Sequence, residues 1–145
     1  MSSKVVVLGG HTPGAREAVR WALRVAGTAG SEVVVVHPFD VQGRADLALE
    51  SDLVRARRDA RYRAHSWLVD AVADLDVRVP VRVCTPEGPA AEVLVAESAD
   101  ADLVVLSTDD PRSHDLEAAV RAGAGCVVRT VTPPAHRRRP AALTS

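Results

Sequence analysis

Four short runs of aliphatic residues stand out along the chain. Each run is apolar at consecutive positions, which is typical of a strand buried on both faces, as in a parallel sheet. A fifth segment, residues 77–83, alternates apolar and polar positions and predicts a strand at the edge of the sheet. Pro80 agrees with an edge position, because proline cannot donate to a strand ladder. The four runs are residues 5–8, 33–36, 103–106 and 126–128.

Helical patterns fill the intervals between these strands. Residues 14–29 place alanines on one face and arginines on the other, and residues 46–75 carry the longest apolar stripe. A third helix is predicted after Gly88, with Pro89 at its first position. A fourth is predicted over residues 114–123, ending at a glycine-rich stretch. This alternation predicts an α/β fold, with a parallel sheet, helices on both faces and right-handed crossovers.

Composition narrows the class of protein. The 145 residues suggest one domain, and the formal net charge of −1 argues against a general nucleic-acid or membrane-surface binder. No apolar run is long enough to span a membrane. Cys84 and Cys126 form no metal or redox motif, so we expect reduced thiols in a cytoplasmic protein. The segment from Pro133 onward is rich in proline, arginine and alanine, which predicts a domain over residues 1–132 and a disordered tail over 133–145.

Two loops are candidates for ligand binding, because ligands of such sheets bind beyond the carboxyl ends of the strands. The first loop contains Gly9, Gly10 and Thr12, and its glycines would let backbone N–H groups approach an anion at a helix N-terminus. It matches neither the dinucleotide-binding pattern nor the P-loop pattern. The alternative interpretation is a tight turn, with Thr12 as the helix N-cap and Pro13 at the first helical position.

The second loop, residues 107–113, is acidic. Asp109 and Asp110 put two negative charges where a polyphosphate would be expected. Each pair of like charges at 4 Å costs about 1 kcal/mol in water and more when desolvated. Arg112 offsets part of this cost, and a bridging divalent cation could offset more. The alternative interpretation is a solvated turn in which Ser113 or Asp115 caps the following helix.

Five segments, taken in order and with their spacing, resemble the universal stress protein family. Residues 85–94 resemble the family's E-G-P-A start of the third helix, and residues 99–107 resemble its A-D-L-V-V entry into the fourth strand. The other matches are residues 5–23 with the Trp21-Ala22 pair, residues 34–37 ending in a histidine, and residues 127–131. The resemblance spans about residues 4–132.

The resemblance implies a Rossmann-like, five-stranded parallel sheet in the order 3-2-1-4-5. It also implies a homodimer, often paired through the last strand, here Val127–Val131. ATP-binding members carry an aspartate where this chain has Gly10. They also carry G-x-x-G-(x)9-G-(S/T) after the fourth strand, where this chain has Ser107 and Asp110 in a shorter loop without glycine. We therefore expect absent or very weak ATP binding, no cofactor, and a regulatory or protective homodimer that is not an enzyme.

Three alternatives stay open. The chain could be a nucleotide-binding member that takes ATP or AMP and hydrolyses it weakly. Its arginine-rich segment, residues 55–63, could instead dock an acidic partner or nucleic acid. His11 and His37 could meet an aspartate of the second loop, but the spacings match no metal motif and we expect no metal site. The candidate residues for a degenerate nucleotide pocket are Gly9, Gly10, Thr12, His37, Pro38, Ser107 and Thr108.

Overall fold

The computed structural model describes residues 3–39, 50–76 and 78–133. Strands and helices alternate within these residues, which confirms the predicted α/β class. The strands are β1 (Lys4–Leu8), β2 (Glu32–Val36), β3 (Val81–Cys84), β4 (Leu103–Ser107) and β5 (Val127–Val131). The helices are α1 (Pro13–Ala29), α2 (Glu50–Ala71), α3 (Ala90–Glu97) and α4 (Ser113–Gly123).

All strand pairs of the sheet are parallel. The strand order is β3-β2-β1-β4-β5, so the order implied by the family resemblance is confirmed. Strand β1 is central, because Val6 aligns with Val34 of β2 on one side and with Val104 of β4 on the other. The predicted edge position of the alternating segment is also confirmed, because among the strands that the structure describes β3 pairs only with β2.

The two faces of the sheet carry separate layers of the core. Val5 and Val7 of β1 pack with α1 and with Ala71 of α2, whereas Val6 and Leu8 pack with α3 and α4. Side chains on both faces of β1 and β2 are therefore buried, since helices cover both faces, whereas Val127 at the start of β5 is exposed. The small residues of α1 let that helix lie close against the strands.

Several element boundaries differ from the predictions. Within the segment predicted as a strand over 77–83, the ladder begins only at Val81, because Pro80 has no N–H to donate. The Pro80 carbonyl still accepts a hydrogen bond from the Val33 amide at 2.9 Å. Helix α2 ends at Ala71 rather than at residue 75. Residues 46–49, residue 77 and the predicted tail beyond Pro133 lie outside the described residues.

Candidate functional site

The first loop is a tight turn into α1. Thr12 is the N-cap residue, with extended backbone angles of φ −86° and ψ 157°, and its Oγ1 accepts a hydrogen bond from the Ala15 amide at 3.1 Å. Pro13 occupies the first helical position, where a missing N–H costs nothing. The interpretation of this loop as a capped turn is confirmed.

The Asp109 carboxylate closes over the start of α1. Its Oδ2 accepts a hydrogen bond from the Gly14 amide at 2.9 Å, and its Oδ1 accepts from Thr12 Oγ1 and Ser107 Oγ, both at 2.8 Å. A Cβ at residue 14 would overlap the side chains of Asp109 and Ser107, so this close approach requires glycine. The carboxylate thus lies where a helix N-terminus attracts an anion.

Hydrogen bonds hold Asp109 in its charged form. Burial by itself raises the pKa of the Asp109 carboxyl. The hydrogen bonds from Thr12, Gly14 and Ser107 act in the opposite direction and outweigh burial, so the pKa lies below its ordinary value. Asp109 is therefore a fixed negative charge at this end of the sheet at neutral pH.

The second loop is partly exposed, with Thr108, Pro111 and Arg112 on the surface and Asp110 turned inward. The buried carboxylate of Asp110 accepts hydrogen bonds from the Arg112 amide at 2.9 Å and from the Arg112 guanidinium at 3.0 and 2.8 Å. These bonds from Arg112 hold the pKa of Asp110 below its ordinary value. The prediction that Ser113 or Asp115 caps α4 is wrong: Arg112 is the N-cap residue, and no side chain caps the helix.

His37 lies at the end of β2 in a separate, apolar setting. Its ring lies against Gly9, where a Cβ would overlap it, and meets the Trp67 ring edge to face at a centroid distance of 4.9 Å. Burial lowers the pKa of His37 to about 4, with a smaller contribution from His11. Its Nε2 is buried and has no hydrogen-bond partner in the described part of the chain. The imidazole is therefore neutral at physiological pH.

A cavity of about 130 Å³ opens beside this histidine. Its lining combines aromatic side chains, small residues of α2 and one cation. It is smaller than the pockets of roughly 300–1,000 Å³ that usually hold drug-sized ligands. The lining residues are His11, His37, Pro38, Phe39, Ala60, Arg63, Ala64, Trp67 and Thr85.

The structure divides the candidate pocket residues among neighbouring places. Thr12 and Ser107 hold Asp109, whereas His37 and Pro38 line the cavity. Thr108 turns towards β5: its amide donates to the Val131 carbonyl at 2.9 Å, and its Oγ1 lies 3.2 Å from the Thr132 hydroxyl. Gly9 and Gly10 form the backbone between the residues that hold Asp109 and the cavity beside His37. The Gly9 amide donates to the Val36 carbonyl at 2.9 Å.

Sequence reasoning missed three residues that shape the cavity. Phe39, Arg63 and Trp67 line it, but no motif marks them. Trp67 lies within the apolar stripe predicted over residues 46–75, where it follows alanines at positions 56, 60 and 64. The one available signal was the change from alanine to tryptophan along that stripe. Their meeting depends on how α2 crosses the sheet.

Metal and membrane sites find no support in the described residues. Within residues 3–39, 50–76 and 78–133, no group of three or more histidine, cysteine or acidic side chains could hold a metal ion. No helix in that same part of the chain is both long and apolar enough to cross a membrane. Both cysteines are free and half-buried, and burial raises their pKa values.

Comparison with known proteins identifies the family. A profile of the universal stress protein family matches residues 1–129. The chain belongs to this family. No curated protein matches it. The parallel sheet and its strand order are shared with solved structures of universal stress proteins.

Solved structures resemble this universal stress protein at low identity. Universal stress protein UspA from Lactobacillus plantarum is 18% identical, with 89% of this chain and 97% of that chain covered and a TM-score of 0.67. A family member from Arabidopsis thaliana with AMP bound is 16% identical, with coverage of 93% and 94% and a TM-score of 0.62. The universal stress protein from Archaeoglobus fulgidus in complex with dAMP is 20% identical, with coverage of 90% and 98% and a TM-score of 0.61. These likenesses establish the shared fold.

Proposed function

We propose that this universal stress protein is a regulatory or protective protein without catalytic activity, whose affinity for ATP is absent or very weak. The position of the Asp109 carboxylate is the observation that carries the proposal. It occupies the hydrogen-bond donors of Thr12, Ser107 and the Gly14 amide at the start of α1. Backbone donors at such a helix start would otherwise suit a phosphate group. The chain supplies its own anion at that place.

Electrostatics opposes a phosphate at this end of the sheet. Each pair of like charges at 4 Å costs about 1 kcal/mol in water and about 4 kcal/mol near a protein surface. A phosphate that displaced Asp109 would also leave that carboxylate without its three hydrogen bonds. Arg112 offers little compensation, because its guanidinium is already bound to Asp110 at two nitrogens.

A second candidate function is the binding of a nucleoside monophosphate. Relatives from Arabidopsis thaliana and Archaeoglobus fulgidus are described with AMP and dAMP. In this chain the cavity lined by His37, Phe39 and Trp67 offers aromatic surfaces to a flat base. Its volume of about 130 Å³ favours a ring alone over a whole nucleotide.

Calorimetry with ATP and Mg²⁺ tests the proposal. We expect no heat of binding, or a dissociation constant in the millimolar range or weaker. A micromolar constant would overturn the proposal. A thermal-shift series with AMP, ADP and cyclic AMP tests the second candidate, because any ligand that binds only the folded state raises the melting temperature. Saturable stabilisation by one of them favours nucleotide binding.

The Asp109→Ala variant tests the stated cause. If the carboxylate excludes phosphate, this variant has a higher affinity for ATP than the wild type, because the Gly14 amide is then free to donate. The matched variant is Asp59→Ala, which removes one acidic side chain from an exposed position of α2, leaves Asp109 in place and is expected to keep the wild-type affinity. Equal affinities of Asp109→Ala and the wild type would locate the cause elsewhere in the loop.

The edge strand β5 supports a homodimer as the working form. It pairs with β4 on one side only, and Val127 at its start is 60% exposed. The backbone groups along its other side have no strand to pair with in the described residues. An open edge of this kind favours pairing with another strand, and a second copy of the chain offers the same strand in return.

A further inference from the structure

Helix α2 has a second apolar side that faces away from the sheet. Its inner side contributes the buried Ala64 and Ala71 and the half-buried Trp67 and Leu68. On the opposite side Tyr62 is 72% exposed and Val69 is 67% exposed. Large apolar side chains on a single exposed helix face indicate a surface that binds another molecule.

The exposed residues form one continuous surface, which we name the outer stripe. From residue 62 to residue 70 their positions follow the spacing of three and four residues that aligns side chains along one side of a helix, and Ala73 continues the surface in the turn after α2. Together they line a shallow groove at the surface. The outer stripe consists of Tyr62, His65, Ser66, Val69, Asp70 and Ala73.

Charge is divided along α2. Residues 50–63 contain five arginines and three acidic residues, so the first part of the helix is basic. After Arg63 the helix carries neither lysine nor arginine, and its one acidic residue is Asp70. Asp74, in the turn that follows α2, is paired with Arg20. A helix with arginine on the N-terminal side of a contact and aspartate on its C-terminal side is complementary to a reversed copy of itself.

Arg63 and Asp70 are the charged residues at the border of the outer stripe. They are seven residues apart, so they lie on the same flank of the helix two turns from each other. Arg63 is exposed, and the Asp70 side chain is 87% exposed. Asp70 lies 3.7 Å from Arg16 of α1, a solvated contact that leaves its carboxylate accessible.

We propose that the outer stripe binds the outer stripe of a second copy of this chain, with the two α2 helices antiparallel. A two-fold axis then brings Arg63 of each protomer to Asp70 of its partner. In that register Val69 of one protomer packs over Ser66 of the other, and Tyr62 packs beside Ala73 in the turn that follows the partner's α2. Each large side chain meets a small one, as interdigitated helix packing requires.

The divided charge favours a second copy over an unrelated acidic partner. An acidic peptide that paired with Arg63 would place negative charge along the stripe and meet Asp70, which costs free energy. The antiparallel copy satisfies both residues at once and twice per pair. This inference does not depend on the proposed pairing of β5 or on nucleotide binding.

Charge reversal tests the contact through the mixing of two variants. Arg63→Asp alone places two acidic residues opposite each other, and Asp70→Arg alone places two arginines opposite each other, so each variant repels itself at this surface. In a one-to-one mixture both cross-pairs become attractive. We expect sedimentation equilibrium to give the mixture about twice the mass of either variant alone.

The mixing experiment can be interpreted whether or not β5 pairs with a second copy. If β5 pairs, each single variant is a dimer and the mixture forms larger species. If β5 does not pair, the single variants are monomers and the mixture forms dimers. The proposal is overturned if the mixture has the average mass of its components, or if the wild type and Arg63→Asp have equal masses.

Two further variants separate the contact from general effects of charge and folding. Arg24→Asp makes the same change of charge at an exposed position of α1 and is expected to keep the wild-type mass. Tyr62→Glu breaks the apolar part of the stripe and is expected to lower the mass as Arg63→Asp does. Circular dichroism establishes that each variant is folded before its mass is interpreted.

Discussion

At the scale of single residues, the two neighbouring glycines of the first loop have different roles. A Cβ at Gly9 would overlap the His37 ring, whereas a Cβ at Gly10 would make an ordinary contact with the Ala15 Cβ at 3.6 Å. Gly9→Ala is therefore expected to lower the free energy of unfolding by about 1–3 kcal/mol through overpacking. Gly10→Ala is expected to raise it by about 0.4–1 kcal/mol, because alanine restricts the unfolded chain.

Urea denaturation of the two alanine variants measures this contrast. Both variants add the same methyl group one residue apart, so each is the control for the other. Gly10 has no positive φ angle, so an alanine there is not strained. Equal stabilities of the two variants would contradict the close approach of His37 to Gly9.

His37 should make stability depend on pH. Its folded pKa of about 4 lies below the ordinary 6.5, so between these values the unfolded chain binds a proton that the folded chain does not. Above pH 6.5 His37 does not reduce the free energy of unfolding. As pH falls from 6.5 towards 4, the free energy of unfolding decreases, because protons bind the unfolded chain first. The shift corresponds to a loss on the order of 3 kcal/mol. His37→Leu removes the titrating group and should flatten the slope.

The window from pH 6.5 to 5 is the clearest test of this prediction. Most carboxyl groups are still ionised there, so the slope of unfolding free energy against pH reports mainly on histidine. His114→Leu removes an exposed histidine of α4 and serves as the control, with the wild-type slope expected. A wild-type slope in His37→Leu would mean that another group causes the dependence.

At the scale of elements, the free edge of β5 can be tested without disturbing its pairing with β4. The Val131 carbonyl accepts from Thr108, so it faces β4. Backbone groups alternate in direction along a strand, and the Thr130 N–H therefore points to the open edge. Thr130→Pro removes that donor, and Thr130→Val keeps it.

Light scattering at high micromolar concentration should separate these two variants. Thr130→Val is expected to keep the wild-type mass, and Thr130→Pro is expected to have about half of it, because the strand can no longer pair with a second copy. Circular dichroism of Thr130→Pro establishes that the fold is intact. Equal masses for the folded variants would count against the β5 dimer.

At the scale of the whole molecule, the two proposed contacts lie at opposite edges of the sheet. Helix α2 contacts β3 at one edge, and β5 forms the other edge. Two contacts that are each two-fold symmetric and do not overlap can coexist in one assembly, as a closed tetramer or an open chain. The variants at Thr130 and Arg63 therefore address independent surfaces.

The order of elements and most of the core could be predicted from the sequence. Buried parallel strands need apolar residues on both faces, so the valine runs marked four of the strands, and helical spacing marked the helices between them. The third strand was placed less well, because its alternating pattern extends through Pro80 while the ladder begins after it. Periodicity describes which face of an element is apolar, and it is less informative about where hydrogen bonding begins.

The chemistry of the strand ends was decided by tertiary structure. The sequence placed two aspartates in a glycine-free loop, but their separate roles depend on which donors surround each one. Asp109 lies against Thr12 and Gly14, which are more than 90 residues away along the chain, while Asp110 folds back onto Arg112. The sequence by itself determined the fold, because burial repeats locally at intervals of two and three to four residues. Only the folded chain decided the site, because hydrogen bonds join atoms that are close in space and distant in sequence.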